Sequence, residues 1–555
     1  SVALFGARAL AMLVCVALTT PRGRWIASLR SGAAHVDERG LGVLLLVLLV
    51  WGAHLSPVAT RAGAELDPSW QQSLGRALRE GLRFGHDVLF TYGPFGYFLQ
   101  SPHDPALYWT KTLVFELAFK LLAAGFVVAV AMRIGRVLER AAFLLAATVP
   151  MIGDDAWALL VVTCVAVWLA LEPDRPVLRE ALGLAVLAVL ALVKFTFFVY
   201  GTLAVLLFAA ACLRTRGLHR ALRTPAVLAL LVLALWIGAG QRPFDLPAYV
   251  ASSLSITSGY SVAMGQDSDP FTLELGAQCL FACFAIAALA FATSIRGRAA
   301  PAAALTLAAG AFLAFKAGFV RNGGNAVTLF GFAATAPLAV AALEAVGPTT
   351  RLPRLLRGTG AGLRLALCVF ALYGFGVARQ HPGQTIERLF TEWSHESTTR
   401  AAAILDFQRQ ETELRDADGA LSASTGLPNV SARVGRATVD LIANKQGILH
   451  ANDLEWKPRP AFQSYVAYTP ELLRRNAEFL AGPDAPRYVL FQFETIDQRL
   501  PNLDDTLALQ VLSRDWRPVL EEGEFLLLER RPDAKLVPLA KERPVVLQRE
   551  LEYGE

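Results

Sequence analysis

The chain has 555 residues and a mass of 59.9 kDa, with 54% hydrophobic residues, 18% charged residues, a mean hydropathy of +0.43 and a formal net charge of +5. Soluble domains carry roughly a quarter charged residues, so the composition argues against an ordinary cytosolic enzyme. So much apolar surface excludes a disordered chain, and basic residues scattered among short loops argue against a nucleic-acid partner. What fits is a membrane protein with a water-soluble part.

A helix needs about 20 apolar residues to cross the hydrocarbon. Candidate spans run over 2–20, 41–58, 113–132, 141–153, 156–171, 181–197, 198–213, 225–240, 274–293, 299–317, 326–346 and 363–379. The expectation is a polytopic α-helical protein of about 11–13 transmembrane helices, with two of the pairs as tight hairpins. Segment 2–20 lacks a basic leading region and carries Arg8 in its middle, so it reads as a span rather than a signal peptide.

Every second connection is basic, with Arg133, Arg136 and Arg140 in one, Arg214, Arg216, Arg220 and Arg223 in another, and Arg351, Arg354 and Arg357 in a third. The intervening loops 59–112 and 241–273 are balanced or acidic. Positive charge collects on the cytoplasmic side. That rule places 59–112, 241–273 and everything after about 380 outside the cytoplasm.

The chain therefore divides into a membrane domain, 1–379, and a soluble extracytoplasmic domain, 380–555. The second part holds 21 Lys+Arg against 28 Asp+Glu, a net of −7, which leaves +12 for the first. Strand-like stretches at 437–443, 488–493 and 524–529, with helix-like stretches at 386–416 and 470–481, predict a compact α/β domain. The Gly/Arg-rich 347–364 reads as a loop. All six cysteines (Cys15, Cys164, Cys212, Cys279, Cys283, Cys368) fall in expected spans, so the outer domain has no internal disulfide. Cys279 and Cys283, one turn apart, read as packing residues.

The first outer loop is long for a connection and reads GAELDPSWQQSLGRALREGLRFGHDVLFTYGPFGYFLQ. Pro68–Leu82 has the spacing of an amphipathic helix, with Trp70, Leu74, Leu78 and Leu82 on one face. Asp67-Pro68 suits its start as N-cap and first turn. A helix of this kind lies in the interface plane and holds Glu65 and Asp67 near the outer end of the second span.

This loop resembles that of the GT-C superfamily, membrane glycosyltransferases that use polyprenyl-phosphate sugars and include the protein O-mannosyltransferases and aminoarabinose transferases. Their loop opens on an acidic residue, passes through a helix and closes on an aspartate–proline segment. Asp67 with Glu65 matches the acidic opening. Asp87-Val-Leu-Phe-Thr-Tyr-Gly-Pro-Phe-Gly matches the later segment, except that Tyr92-Gly93 replaces His-Pro and Tyr97 replaces the final lysine. Asp154-Asp155 resembles the second outer acidic site. By motif the resemblance covers about 40 residues, so it implies a divergent branch.

The implied chemistry is transfer of a sugar from a polyprenyl-phosphate carrier to a lipid, glycan or protein acceptor, at the outer face of a bacterial inner membrane. Inversion by direct displacement needs one carboxylate to take the acceptor proton and cations to meet the leaving phosphate. Asp67 is the base candidate, with Glu65 beside it; Asp67 also has the plainer role of capping its helix. Arg321, Lys194 and Lys316, each near an outer helix end, are candidates for the phosphate, with Asp87 and Tyr92 beside the donor. Charges near membrane depth usually face a cavity or a partner, although snorkelling explains a lysine equally well. Glu116 and Lys120, four residues apart, read as a local ion pair.

Asp154 and Asp155 either hold a divalent cation, Mg²⁺ or Mn²⁺, or mark a polar turn. In the outer domain Trp456, Arg459, Gln463 and Tyr465 combine aromatic faces with planar hydrogen-bonding groups, so they are candidates for the acceptor or a packed loop. Asn429-Val-Ser431 fits a glycosylation sequon. A non-catalytic scaffold of an envelope complex is the alternative, and a transporter a weaker one, since no inverted repeat is visible.

Overall fold

The computed structural model describes residues 38–379 apart from 57–59, 100–101, 149–153, 173–175, 295–298, 322–323 and 347–350, and residues 406–534 apart from 495, 498–503 and 533, together with 399 and 402. The expected span 2–20, with Cys15, and most of the helix-like stretch 386–416 lie outside the described residues.

By length and composition alone, eight of the described helices are apolar enough to cross a membrane. In chain order the helices of this region are α1 (Glu38–His54), α2 (Leu66–Arg79), α3 (Tyr108–Ala131), α4 (Val137–Ala147), α5 (Asp154–Leu171), α6 (Val177–Val193), α7 (Phe195–Arg216), α8 (Leu218–Gly238), α9 (Leu246–Met264), α10 (Pro270–Ser294), α11 (Ala300–Phe319), α12 (Val327–Ala339) and α13 (Arg351–Ala378). The helices α1, α4 and α6 are apolar but shorter. At the centre sit α5 and α12, almost wholly buried by their neighbours, while α8 presents most of its surface outward. An apolar helix without a polar face is what a lipid-surrounded bundle requires.

Three local expectations change. The 241–273 loop contains the 19-residue helix α9, whose serines and glycine hide its helical spacing. Residues 351–364 extend α13 rather than forming a loop, because Arg364 is buried and reaches Glu139 at 2.7 Å and Glu344 at 2.6 Å. Asp67 is not the N-cap of α2: the helix starts at Leu66, the cap position falls to Glu65, and Glu65 makes no side-chain cap bond. Glu116 and Lys120 do pair, at 2.7 Å, within α3. The stretch Lys111–Phe119 of α3 is π-helical, a conformation that is rare and found mostly at single sites in helices.

The C-terminal region builds one four-stranded sheet in the order β1-β2-β4-β3, from β1 (Val439–Ile442), β2 (Tyr488–Gln492), β3 (Trp516–Glu522) and β4 (Phe525–Arg530). The first two strands are parallel, and the other pairings antiparallel. Helices α14 (Phe407–Ser424), α15 (Pro428–Val434), α16 (Gly447–Ala451), α17 (Pro470–Ala481) and α18 (Thr506–Asp515) complete it. Strand β1 is buried on both faces, as a parallel strand covered by helices should be. Strand β3 is not legible in the sequence: Arg517, Pro518 and two glutamates, Glu521 and Glu522, mask it, and it pairs because the turn at Gly523 folds it back on β4.

This sheet region docks on the loop between α1 and α3. The Gly447 amide donates to Ser69 Oγ at 3.1 Å, and a Cβ at Gly447 would collide with the Gly63 carbonyl oxygen, so only glycine admits the contact. His450 fits between Ser73, whose Oγ is 3.0 Å from Nε2, and Arg76, whose guanidinium donates to Nδ1 at 3.1 Å. An arginine donates only, so Nδ1 accepts and Nε2 carries the proton. Leu89 N donates to the Pro460 carbonyl at 2.8 Å, and the Phe90 and Phe462 rings are 5.3 Å apart.

Candidate functional site

The site is assembled by a break between two helices. After Val193 one residue, Lys194, is extended (φ −147°, ψ 137°) before α7 begins. The exposed amides and carbonyls of that break need partners, and the Thr91-Tyr92-Gly93-Pro94-Phe95 segment supplies them. Gly93 N donates to Val193 O at 3.0 Å, Phe95 N to Leu192 O at 3.0 Å, and Phe195 N to Thr91 O at 2.9 Å. A Cβ at Gly93 would sit 2.5 Å from the Leu192 oxygen, so glycine is required for this approach. Proline at 94 forfeits no bond here, because the donors on either side of it make the contacts.

This insertion brings side chains of four elements together. Lys194 Nζ lies 5.0 Å from the centre of the Tyr92 ring and 2.5 Å from Asp155 Oδ2, in the first turn of α5. Tyr92 packs on Trp70, ring centres 4.8 Å apart, and Trp70 Nε1 donates to Asp67 Oδ1 at 2.9 Å. A continuous path therefore runs from Asp67 through Trp70 and Tyr92 to Lys194 and Asp155. Asp67 is exposed, whereas Trp70 and Tyr92 are buried, so the carboxylate reaches solvent with one oxygen fixed. Burial pushes the Tyr92 phenol up to about 12, against the opposing charge of Lys194, so this hydroxyl stays protonated at neutral pH.

The sheet region adds a further side chain. Tyr465, half-buried, lies within electrostatic reach of Asp67, Arg321, Tyr260 and Tyr92, and burial holds its pKa well above the ordinary phenol range. Arg321 pairs with Asp497 at 2.7 Å. Asp67, Tyr92, Lys194, Asp155, Arg321 and Tyr465 thus share one locality. Tyr260, on α9, joins them; its sequence marks it only as part of the 241–273 segment that could cover the site.

Other expected residues are placed elsewhere or otherwise. Glu65 is exposed at the start of α2. Asp87 accepts from the Arg83 amide at 2.9 Å and closes the turn that precedes Val88, a structural use. Lys316 is half-buried in the last turn of α11. Asp154 opens α5 beside Asp155 and faces the buried Lys111, Glu116 and Lys120 group of α3.

Of the four candidates in the sheet region, three lie in its core. Arg459 is fully buried and donates to Asp440 at 2.9 Å, Asp505 at 2.9 Å, the Leu441 carbonyl at 2.7 Å and Ser464 Oγ at 2.6 Å. Gln463 donates to the Asn444 carbonyl at 3.1 Å and to Gln446 at 2.5 Å. Trp456 is packed between His450 and Phe462. Their aromatic and planar character, which points to saccharide contact in the sequence, is used to build the framework behind Tyr465.

Among the described residues no group of three or more His, Cys, Asp or Glu side chains converges as a metal site. Asp154 and Asp155 alone do not fit a resident Mg²⁺, which needs near-octahedral oxygen ligation, and one Asp155 oxygen is already taken by the Lys194 ammonium.

A further contact, between residues far apart in the sequence, helps to anchor the loop. Arg83 grips Asp245 in a two-pronged pair at 2.8 and 2.7 Å, with His86 at 3.3 Å. That fork fixes the first loop against the chain entering α9 and holds the Asp245 carboxyl below the usual carboxylate range.

No family model matches the chain, and no curated protein matches it. Among solved structures it is similar to the crystal structure of ArnT from Cupriavidus metallidurans bound to undecaprenyl phosphate, with 13% identity and a TM-score of 0.37 over 89% of this chain and 98% of that one. At that TM-score and identity the likeness assigns no residue and no activity.

Proposed function

We propose that this chain is a GT-C-type glycosyltransferase of the bacterial inner membrane, working at the outer face with its sheet domain extracytoplasmic. It moves a sugar from a polyprenyl phosphate to a hydroxyl-bearing lipid, glycan or protein. The observation that carries the reading is the convergence of one exposed carboxylate, Asp67, with two cations, Lys194 and Arg321, around Tyr92 and Tyr465 at the ends of apolar helices.

The roles follow from that arrangement. Trp70 holds Asp67 Oδ1, which leaves the second oxygen to take the acceptor proton. The acceptor oxygen then forms its bond to the anomeric carbon while the bond to the phosphate oxygen breaks, and the electron pair leaves with the phosphate. Lys194 and Arg321 meet the charge that develops there, Arg321 through its planar fork. Asp155 and Asp497 keep the two cations charged and oriented until a phosphate shares them.

In a transfer assay with a radiolabelled polyprenyl-phosphate sugar, Asp67→Asn is expected to reduce the rate about 10²- to 10⁴-fold, the usual worth of a positioned base. The amide oxygen of that variant can still accept from Trp70, so the fold persists. Transfer at the wild-type rate refutes the assignment. The scaffold reading draws on a different observation, that both cations are already paired with carboxylates. It expects no binding of undecaprenyl phosphate at all.

A further inference from the structure

The parallel strands β1 and β2 end side by side, and a crevice opens beyond their C-terminal ends. It is lined by Asn444, Ser464, Tyr465, Phe491, Gln492 and Glu494, and with its open mouth holds about 330 Å³ of empty space. Open α/β sheets bind ligands at such carboxyl ends. The backbone here is strained as well: Ala443, the residue after β1 and part of the lining, has φ +124°, a value that costs a non-glycine residue stability and clusters at functional places.

The crevice gathers three acceptors without donors. Asn444 and Gln492 are more than nine-tenths buried, and their side-chain oxygens have no hydrogen-bond partner among the described residues. The same holds for Glu494 Oε2. Buried acceptors left in this state cost about 1–3 kcal/mol each, so a ligand that brings hydrogen-bond donors is favoured. A divalent cation is a poor match, because the lining offers only two carboxylates, Glu494 and Asp504, with one Glu494 oxygen 3.5 Å from the Lys445 ammonium, and no group of three ligand side chains converges among the described residues. Neutral hydroxyl groups need only the hydrogen-bond acceptors.

The enclosed floor has room only for a water-sized group. The fitting part of a ligand is therefore a hydroxyl edge, with the rest of a ring lying outside. Aromatic faces are at hand there: Tyr465 and Phe491 in the lining, and Phe493, 79% exposed at the end of β2. An aromatic side chain left so exposed beside a polar crevice suits the C–H face of a sugar. Tyr465 lines the crevice and lies within electrostatic reach of Asp67, so the two places adjoin across this side chain.

We propose that this crevice is a saccharide subsite that holds the acceptor, with Asn444, Gln492 and Glu494 accepting from sugar hydroxyls and Phe493 covering the ring. The proposal rests on the transferase reading and makes the acceptor a glycan or glycolipid rather than a bare hydroxyl. The test is saturation-transfer NMR on the full chain in detergent, titrated with methyl α-mannopyranoside, methyl α-galactopyranoside and N-acetylglucosamine, with CaCl₂ as a separate titrant. Saturable binding of at least one sugar is expected, weakened tenfold or more by Gln492→Leu and by Phe493→Ala. The second substitution is at an exposed position and leaves folding intact. The proposal fails if none of the three binds, if Phe493→Ala binds as tightly as wild type, or if calcium saturates the site and Glu494→Gln abolishes that. Sugar binding without carrier binding sinks the transferase reading alone, and carrier binding without sugar binding sinks this subsite alone.

Discussion

Arg459 and Asp67 show how differently a charged residue behaves at the two ends of the burial scale. Arg459 has no solvent contact and spends its donors on two aspartates, a carbonyl and a hydroxyl. Removing one partner of such a buried set typically costs about 3–5 kcal/mol, since a charge is stranded. Arg459→Ala is therefore expected to unfold the sheet domain at lower denaturant, by several kcal/mol in a two-state fit of domain fluorescence. Asp67 is exposed and its loss should leave stability within about 0.5 kcal/mol, so a large activity loss at unchanged melting temperature separates chemistry from folding. In the sequence both are polar residues near aromatics. Asp67 is legible because it follows a span and opens an amphipathic run. Arg459 misleads because an Arg among prolines and aromatics looks the same whether it faces a ligand or two buried carboxylates, and the carboxylates stand 19 and 46 residues away.

At the scale of elements, the loop that carries Asp67 is held by three joints: the Gly93 insertion at the helix break, the Arg83–Asp245 fork, and the His450 contact with α2. Burial, with Arg76 and Arg79 nearby, holds the His450 pKa well below its ordinary value. The folded state therefore binds fewer protons than the unfolded one at this residue. Its stabilising contribution is complete above the free imidazole value of about 6.5 and is lost as pH falls below it. Melting temperature is expected to drop between about pH 7.5 and about pH 5.5, a window that brackets the free imidazole value, and His450→Gln should flatten that slope. A slope unchanged in the variant would assign it to other groups. At the neighbouring joint, Gly93→Ala forces Cβ onto the Leu192 oxygen; proteolysis of the native protein should then cut the 82–95 segment faster, with transfer reduced. The apolar periodicity of most spans is plain in the sequence. The π-helical turn of α3 and helix α9 are not, because each depends on partners distant in sequence rather than on its own pattern, and strand β3 is masked by its own Arg, Pro and Glu residues although β4 follows directly after the turn at Gly523.

On the scale of the whole molecule, apolar helices hold a break at one end, a single loop inserts into that break, and a sheet domain closes over the loop. The apolar helices and their ends supply Lys194 and Arg321, the loop Asp67 and Tyr92, and the sheet region Tyr465. No one part contains the site, which is why the candidates lie scattered along the sequence, from Asp67 to Tyr465, and only the folded chain brings six of them into a single locality. On the proposed reading this locality receives a lipid-linked phosphate. Undecaprenyl phosphate binding to the full chain in detergent or nanodiscs, compared among wild type, Arg321→Ala and Lys194→Met, tests it directly. A charged hydrogen bond contributes about 1.5–3 kcal/mol, so saturable binding by wild type should weaken roughly ten- to a hundredfold in each variant. Equal affinity in all three, or no saturable binding in the wild type, would contradict it.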